Sequence, residues 1–284
     1  MRAYYPQSSL GECLASWITD RRHVLVALEG YFDGSNSGAG WTKSSAVTLA
    51  GFAADDSIWY EFDKEWRKIL NDSGRRPAAP YLHMRYATKG KSPFTYKDGW
   101  NLKKVGFLIT DLLMYLQTID KSRFRQFACT VDLVAHRKLV AEGYSLPNPI
   151  RISNDHCATT ALAWYGTNYP GLIHSAHYFF DKDEPFEPVF KARWSEKKDA
   201  TVVVSFVDYF WSLIKTVTTA DMKDKPALQA ADLLAWATNR SLSTAKDKSF
   251  RDLHKAMKAI IPANWVVFRE SELRWEYENR KPES

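Results

Sequence analysis

The chain has 284 residues, 45% hydrophobic and 25% charged, with 39 Lys plus Arg against 33 Asp plus Glu and a net charge of +6. These proportions exclude a disordered, collagen-like or disulfide-scaffold protein and leave a globular chain long enough for a sizeable core. Cys13, Cys129 and Cys157 are widely spaced and form no C-x-x-C pair, which argues against a thiolate zinc site and points to a reducing, cytoplasmic setting.

Residues 1–22 read as a leader without an assigned element; they contain Asp20, Arg21 and Arg22 but no long apolar run, which argues against a secretory signal. Val24–Asp33 and Ser44–Ala54 are apolar runs on either side of a glycine-rich loop, the pattern of a β-hairpin. Ser57–Leu70 places Ile58, Phe62, Trp66 and Ile69 at helical spacing, with Asp56 or Ser57 as N-cap. A turn-rich stretch leads to a helix over Asn101–Ile119, then a strand over Phe124–Asp132. His156–Tyr165 reads as a helix and Ile173–Asp181 as a strand. Residues 157–180 carry no Lys, Arg, Asp or Glu, but Asn168, Pro170, Gly171 and His174 interrupt them, so they predict a buried helix, a turn and a strand rather than a membrane span. Val202–Ala220 fits either strand or helix. Pro226–Leu242 and Phe250–Ile261 predict helices, and Trp265–Tyr277 an edge strand. With no repeat and no long linker, the expectation is a single α/β domain over 23–284, its core at about 24–240 and an extension at 241–284.

The chemistry-bearing residues are acids in unusual places. In Pro226–Ala237 (PALQAADLLAWA) the only polar side chains are Gln229 and Asp232, so this helix is buried and its carboxylate needs a cation or hydrogen bonds. Asp33 ends the first apolar run, Asp181 ends IHSAHYFFD ahead of Lys182, Asp183 and Glu184, and Asp132 ends FACTVD. Strand-end acids that converge with one buried helical acid make an all-oxygen pocket suited to Mg²⁺ or Mn²⁺, the ions of phosphodiester hydrolysis. Asp221 and Asp224 precede the buried helix; Asp224 is the better N-cap, which leaves Asp221 either to face the site or to remain a plain solvated loop acid. His83 is a candidate to orient water or carry a proton. His174 and His177, three apart on a strand, point to opposite faces and do not share a metal. The chain lacks G-x-x-x-x-G-K-[ST], G-x-G-x-x-G, G-x-S-x-G and H-E-x-x-H.

Several stretches resemble a family: YFDGSNSG at 31–38, LAGFAA at 49–54, IWYEFDKEWRKIL at 58–70, LHM at 82–84, FTYKDGW, YFFDKDEPF at 178–186 and DMKDKPALQAADLLAWATNR at 221–240. They are similar to the mostly bacterial domain of unknown function 3800 family. The resemblance spans about 24–240, and the acid loop followed by the L-Q-x-A-D-L-L-A helix is its most specific part. It implies a ribonuclease H-like (RNase H-like) mixed sheet flanked by helices, with inserted helices and loops. It also implies Asp33, Asp181 and Asp232 as metal-site acids, with Asp221 and His83 beside them. Two positions depart from the pattern: Gly34 replaces the acid usual after the first Asp, and Arg85 and Tyr86 stand where an acid often follows the His-Met pair. Glu61, Glu65 or Asp132 are the available substitutes for a second ligand.

Residues 85–104 hold Arg85, Lys89, Lys91, Lys97, Lys103 and Lys104 against Asp98 alone, interleaved with Tyr86, Phe94, Tyr96 and Trp100. Cations that neutralise phosphates beside rings that stack bases suit a nucleic-acid track; a solvated loop is the plainer reading. The leading expectation is a cytoplasmic, Mg²⁺- or Mn²⁺-dependent nuclease. The alternatives are an inactive RNase H-like module that binds nucleic acid or protein, and a metal-dependent hydrolase of small phosphorylated substrates.

Overall fold

The computed structural model describes residues 26–35, 43–168, 173–182, 184–198, 211–243, 248–261 and 263–279. Two antiparallel strands, β1 (Val26–Ser35) and β2 (Ala46–Asp55), lead into helix α1 (Asp56–Asn71), the short α2 (Met84–Lys89) and α3 (Leu102–Thr118). Strand β3 (Phe124–Asp132) is followed by α4 (Leu133–Ala141) and α5 (Pro149–Asn168), and β4 (Ile173–Asp181) by α6 (Phe186–Lys198) and β5 (Ile214–Ala220). The chain continues through α7 (Pro226–Ser243), α8 (Lys248–Ile260), β6 (Ala263–Phe268) and α9 (Glu270–Asn279). The strands form one mixed sheet in the order β5-β4-β1-β2-β3-β6. The β1–β2 and β2–β3 pairs are antiparallel; β1–β4, β4–β5 and β3–β6 are parallel. This is the expected α/β fold, a mixed sheet flanked by helices.

Strand alternation splits the core into two layers. Tyr31, Ala50, Phe52 and Phe124 face one side, where they pack against Trp59 and Phe62 of α1, Leu108 and Leu112 of α3, and Leu228 and Leu234 of α7. Phe32, Leu49, Phe127 and Tyr178 face the other, against Ala158 and Leu162 of α5 and Phe190 of α6. Covered on both faces, the central strands are almost continuously apolar in sequence. Gly51 is required by a close approach, since a Cβ there would lie 1.9 Å from the Tyr31 carbonyl oxygen.

Several local expectations are corrected. Asp55 holds the N-cap position of α1 but makes no cap hydrogen bond, because its carboxylate accepts from Arg123 Nε at 2.9 Å and Arg123 Nη2 at 2.6 Å, and from the Ser57 hydroxyl. The region 202–220 contains β5 at its end; 202–210 lie outside the described residues. The expected edge strand over 265–277 stops at Phe268, where β6 pairs with β3. Helix α9 then begins, its Glu272 reaching back to the Arg269 N–H at 3.1 Å as in a capping box. Helices α2, α4 and α6 were not anticipated: α4 starts directly from the last residue of β3, and α6 carries Pro188 in its first turn, where proline is tolerated.

Candidate acidic site

Asp33 lies two residues beyond Tyr31 on β1, so its side chain falls on the same face, the one covered by α7. On the neighbouring parallel strand β4, Phe179 belongs to that face, and so does Asp181 two residues on. From β1 the chain returns through β2 on one side; from β4 it goes on to β5 on the other. The carboxyl ends of two parallel strands whose connections diverge in this way form the usual crevice of an α/β sheet. Helix α7 supplies the third acid: Pro226 starts the helix, residues 226–239 are all buried, and Asp232 is 6% exposed.

Each acid has a different environment. Asp232 Oδ2 accepts the Met84 N–H at 2.6 Å and lies 3.0 Å from His83 Nδ1. An acceptor carboxylate at that distance makes Nδ1 the protonated nitrogen, so Nε2 is left as the basic one. Gln229, one turn earlier, accepts from Leu82 N at 2.9 Å and Trp66 Nε1 at 3.0 Å and donates to the Met222 carbonyl at 2.8 Å. The two polar residues of the buried helix thus pin the segment 82–84 along its flank. Asp181 Oδ1 accepts from Met222 N at 3.0 Å. Asp33 is 2% exposed, and its Oδ1 has no hydrogen-bond partner.

Electrostatics follow from this crowding. Burial holds the Asp33 carboxyl well above the usual carboxylate range, and the charges of Glu184, Asp232 and Asp181 push the same way against the Gly34 N–H. Burial also lifts Asp181 to about 6; the Met222 and Lys182 amides oppose it, while Asp232 and Asp221 reinforce it. Asp33, Asp181, Asp232 and Glu184 therefore lie within electrostatic reach at one end of the sheet. Glu184 is a site acid missed by the sequence reading; the run Asp-Lys-Asp-Glu at 181–184 was its only signal.

The other expected residues separate into those near this cluster and those elsewhere. Asp221 sits in the loop before α7, acting on Asp181 while its Oδ1 accepts from Lys223 N at 2.9 Å. Asp221, rather than the expected cap Asp224, organises that loop. Asp132 is not a substitute ligand: its Oδ1 caps α4 through the Val134 and Ala135 N–H groups, at 2.9 and 3.0 Å. Glu61 and Glu65 pair with Lys64 and Lys68 on the outer side of α1. His177 bonds Thr216 and Ser175 across β4 and β5.

In the basic stretch, Arg85, Lys89, Lys91, Lys97 and Lys103 are exposed, and Lys104 is half-buried and donates to the Gly99 carbonyl at 2.7 Å. Phe94 and Trp100 are not a stacking platform; they are 2% and 1% exposed and pack edge to face within the core. Tyr96, 86% exposed, and the half-buried Tyr86 are the rings of that stretch open to solvent.

Among the described residues, no three His, Cys, Asp or Glu side chains are spaced to enclose a metal ion. The donors nevertheless fit a hard divalent cation in kind. They are all carboxylate oxygens, and one of them is buried without a partner, a state that a cation would relieve. Among the described residues no helix is long and apolar enough to cross a membrane. No protein-family model matches the chain, and neither does any curated protein.

Proposed function

We propose that the protein hydrolyses phosphodiester bonds of nucleic acid, with Mg²⁺ or Mn²⁺ held by Asp33, Asp181 and Asp232, as a member of the domain of unknown function 3800 family. The observation that carries the reading is Asp33: a buried carboxylate with an unpartnered oxygen at the carboxyl end of β1, within electrostatic range of Asp181, Asp232 and Glu184. A protein gains no stability from such an arrangement, and strained acids in a crevice mark functional sites. The strand order β5-β4-β1-β2-β3, with antiparallel pairs on one side of β1 and parallel pairs on the other, supports an RNase H-like core.

Bound metal would activate water and offset charge on the scissile phosphate. His83, fixed by Asp232 through Nδ1, keeps Nε2 to accept a proton from water or to return one to the leaving oxygen. Asp221 holds the loop that supplies the Met222 amide to Asp181. Arg85, Lys89, Lys91, Lys97, Lys103 and Lys104 would offset phosphate charge along the adjoining surface. Three widely spaced cysteines suit a cytoplasmic setting.

The test is cleavage of labelled DNA, RNA and hybrid with Mg²⁺ or Mn²⁺ by the protein and by Asp33→Asn and Asp232→Asn. A thermal-shift titration with Mn²⁺ accompanies it. Cleavage and Mn²⁺ stabilisation, both lost in Asp33→Asn, are expected. No cleavage and no Mn²⁺ response, with salt-dependent nucleic-acid binding retained, would instead establish the inactive module that Gly34 and Tyr86 favour. Phosphatase activity without polymer cleavage would establish the small-substrate hydrolase.

A further inference from the structure

An acidic cleft repels a polyanion, so the groups at its mouth decide which phosphate compound can approach. The segment 81–86 lies beside those acids, since His83 and the Met84 amide both meet Asp232. Leu82 and Met84 are fully buried and face α7, to which the Leu82 and Met84 amides are bonded through Gln229 and Asp232. Tyr81 and His83 are both half-buried, His83 turning its Nδ1 to Asp232 of α7, and Arg85 is exposed. The loop before α7 reaches the same place: Lys223 Nζ stands 5.6 Å over the Tyr81 ring. Lys223, Tyr86 and Asp221 all act electrostatically on the Tyr81 phenol. The Tyr86 ring meets the His83 imidazole edge-on, with centroids 4.3 Å apart. The Tyr86 ring therefore touches the histidine bonded to Asp232, and the Tyr81 ring, two residues before that histidine, lies under the Lys223 cation. From there Arg85 and Lys89, four apart and both exposed, continue along α2 away from the cleft toward Lys91.

Resting on the phosphodiesterase reading above, we propose that Tyr81, Tyr86, Arg85 and Lys223 form a nucleotide subsite beside the acidic cleft, with single-stranded nucleic acid as its ligand. An unpaired base would stack on the tyrosine rings while Arg85 and Lys223 take the flanking phosphates. The ring faces of a duplex base are already stacked on their neighbours, so this subsite has nothing to offer a paired strand beyond charge. Phe94 and Trp100, two further rings of this part of the chain, are locked in the core and cannot substitute.

The experiment is fluorescence anisotropy in EDTA with labelled single-stranded DNA and RNA of one sequence and with the matching duplexes. The proteins are the natural chain, Tyr86→Ala, Tyr86→Phe, Tyr81→Ala and the surface variant Arg85→Ala/Lys223→Ala. The natural chain should bind single strands at least about tenfold more tightly than duplex. Loss of one stacking ring should weaken single-strand binding about 5- to 150-fold with little change for duplex. Tyr86→Phe should retain the affinity, because stacking needs the ring and not the hydroxyl. Arg85→Ala/Lys223→Ala should lower affinity and flatten the salt dependence. Equal affinity for single strand and duplex, unchanged affinity in both tyrosine-to-alanine variants, or equal loss in Tyr86→Phe and Tyr86→Ala would each overturn the proposal. Because binding is read without divalent cation, its outcome is separable from cleavage: a chain that prefers single strands but cuts nothing supports the subsite and refutes the hydrolase.

Discussion

Asp33 and Asp55 are aspartates on the paired strands of one hairpin, 2% and 3% exposed, at opposite ends of the sheet. Asp55 is met by the Arg123 guanidinium through two nitrogens and by the Ser57 hydroxyl, so its burial is compensated. Asp33 has an oxygen with no partner and carries the repulsion of Glu184, Asp232 and Asp181. Burial alone does not distinguish a structural carboxylate from a functional one; what stands opposite the carboxylate does.

The largest expected difference between the two aspartates is in activity. Asp33→Asn should lower cleavage by about 100- to 1,000-fold, the scale expected when one electrostatic group of a catalytic site is removed, while Asp55→Asn leaves the turnover of folded protein unchanged in the same assay. Next in size is stability, where the signs should oppose. Asp55→Ala should cost about 1–3 kcal/mol in a denaturation midpoint, because it removes the carboxylate that two Arg123 nitrogens donate to; the guanidinium keeps 41% exposure, which holds the loss below that of a fully buried pair. Asp33→Asn at pH 8 should instead raise Tm by about 2–8 °C, since it removes a buried, repelled carboxylate. A fall in Tm on Asp33→Asn would show that Asp33 is structural after all.

A smaller effect concerns pH. Asp33 and Asp181 both have folded-state pKa values above the ordinary 3.8, with Asp181 at about 6. The folded protein therefore holds these protons more tightly than the unfolded chain. That stabilisation is complete below the ordinary value and is lost as pH rises through the folded one. In metal-free buffer, Tm should increase as pH falls from 7 to 5, and Asp33→Asn should show a shallower slope. The smallest effect is expected at Asp132, where Asp132→Ala should remove the α4 cap, cost about 0.5–2 kcal/mol and leave cleavage unchanged.

Much of the fold was legible because its signals are local. Phe124–Asp132 and Ile173–Asp181 have the boundaries that their apolar runs suggest, and α1, α3 and α7 lie within two residues of their periodic patterns. Asp232 stood out because ten of the eleven residues around it in PALQAADLLAWA are apolar and the other is Gln229. Glu184 did not stand out, since an acid among Lys182, Asp183 and Asp181 looks like a solvated turn until its position against Asp33 is known. Asp132 misled for the reverse reason: it ends a strand as Asp33 and Asp181 do, but the chain turns into a helix there and the carboxylate caps it. Phe94 and Trp100 looked like a binding surface because alternation of rings and lysines cannot say which rings face inward.

The sequence by itself determined the α/β class, the buried helix and the presence of acids that a stable core would not choose, since periodicity and composition depend on near neighbours along the chain. Only the tertiary structure decided which acids act on one another, that Gln229 and Asp232 anchor the segment carrying His83, and that the basic stretch begins beside Asp232. Those facts join residues 149 and 147 positions apart in the chain. Such pairings are set by strand order and by the packing of α7 across β1, and no local pattern records them.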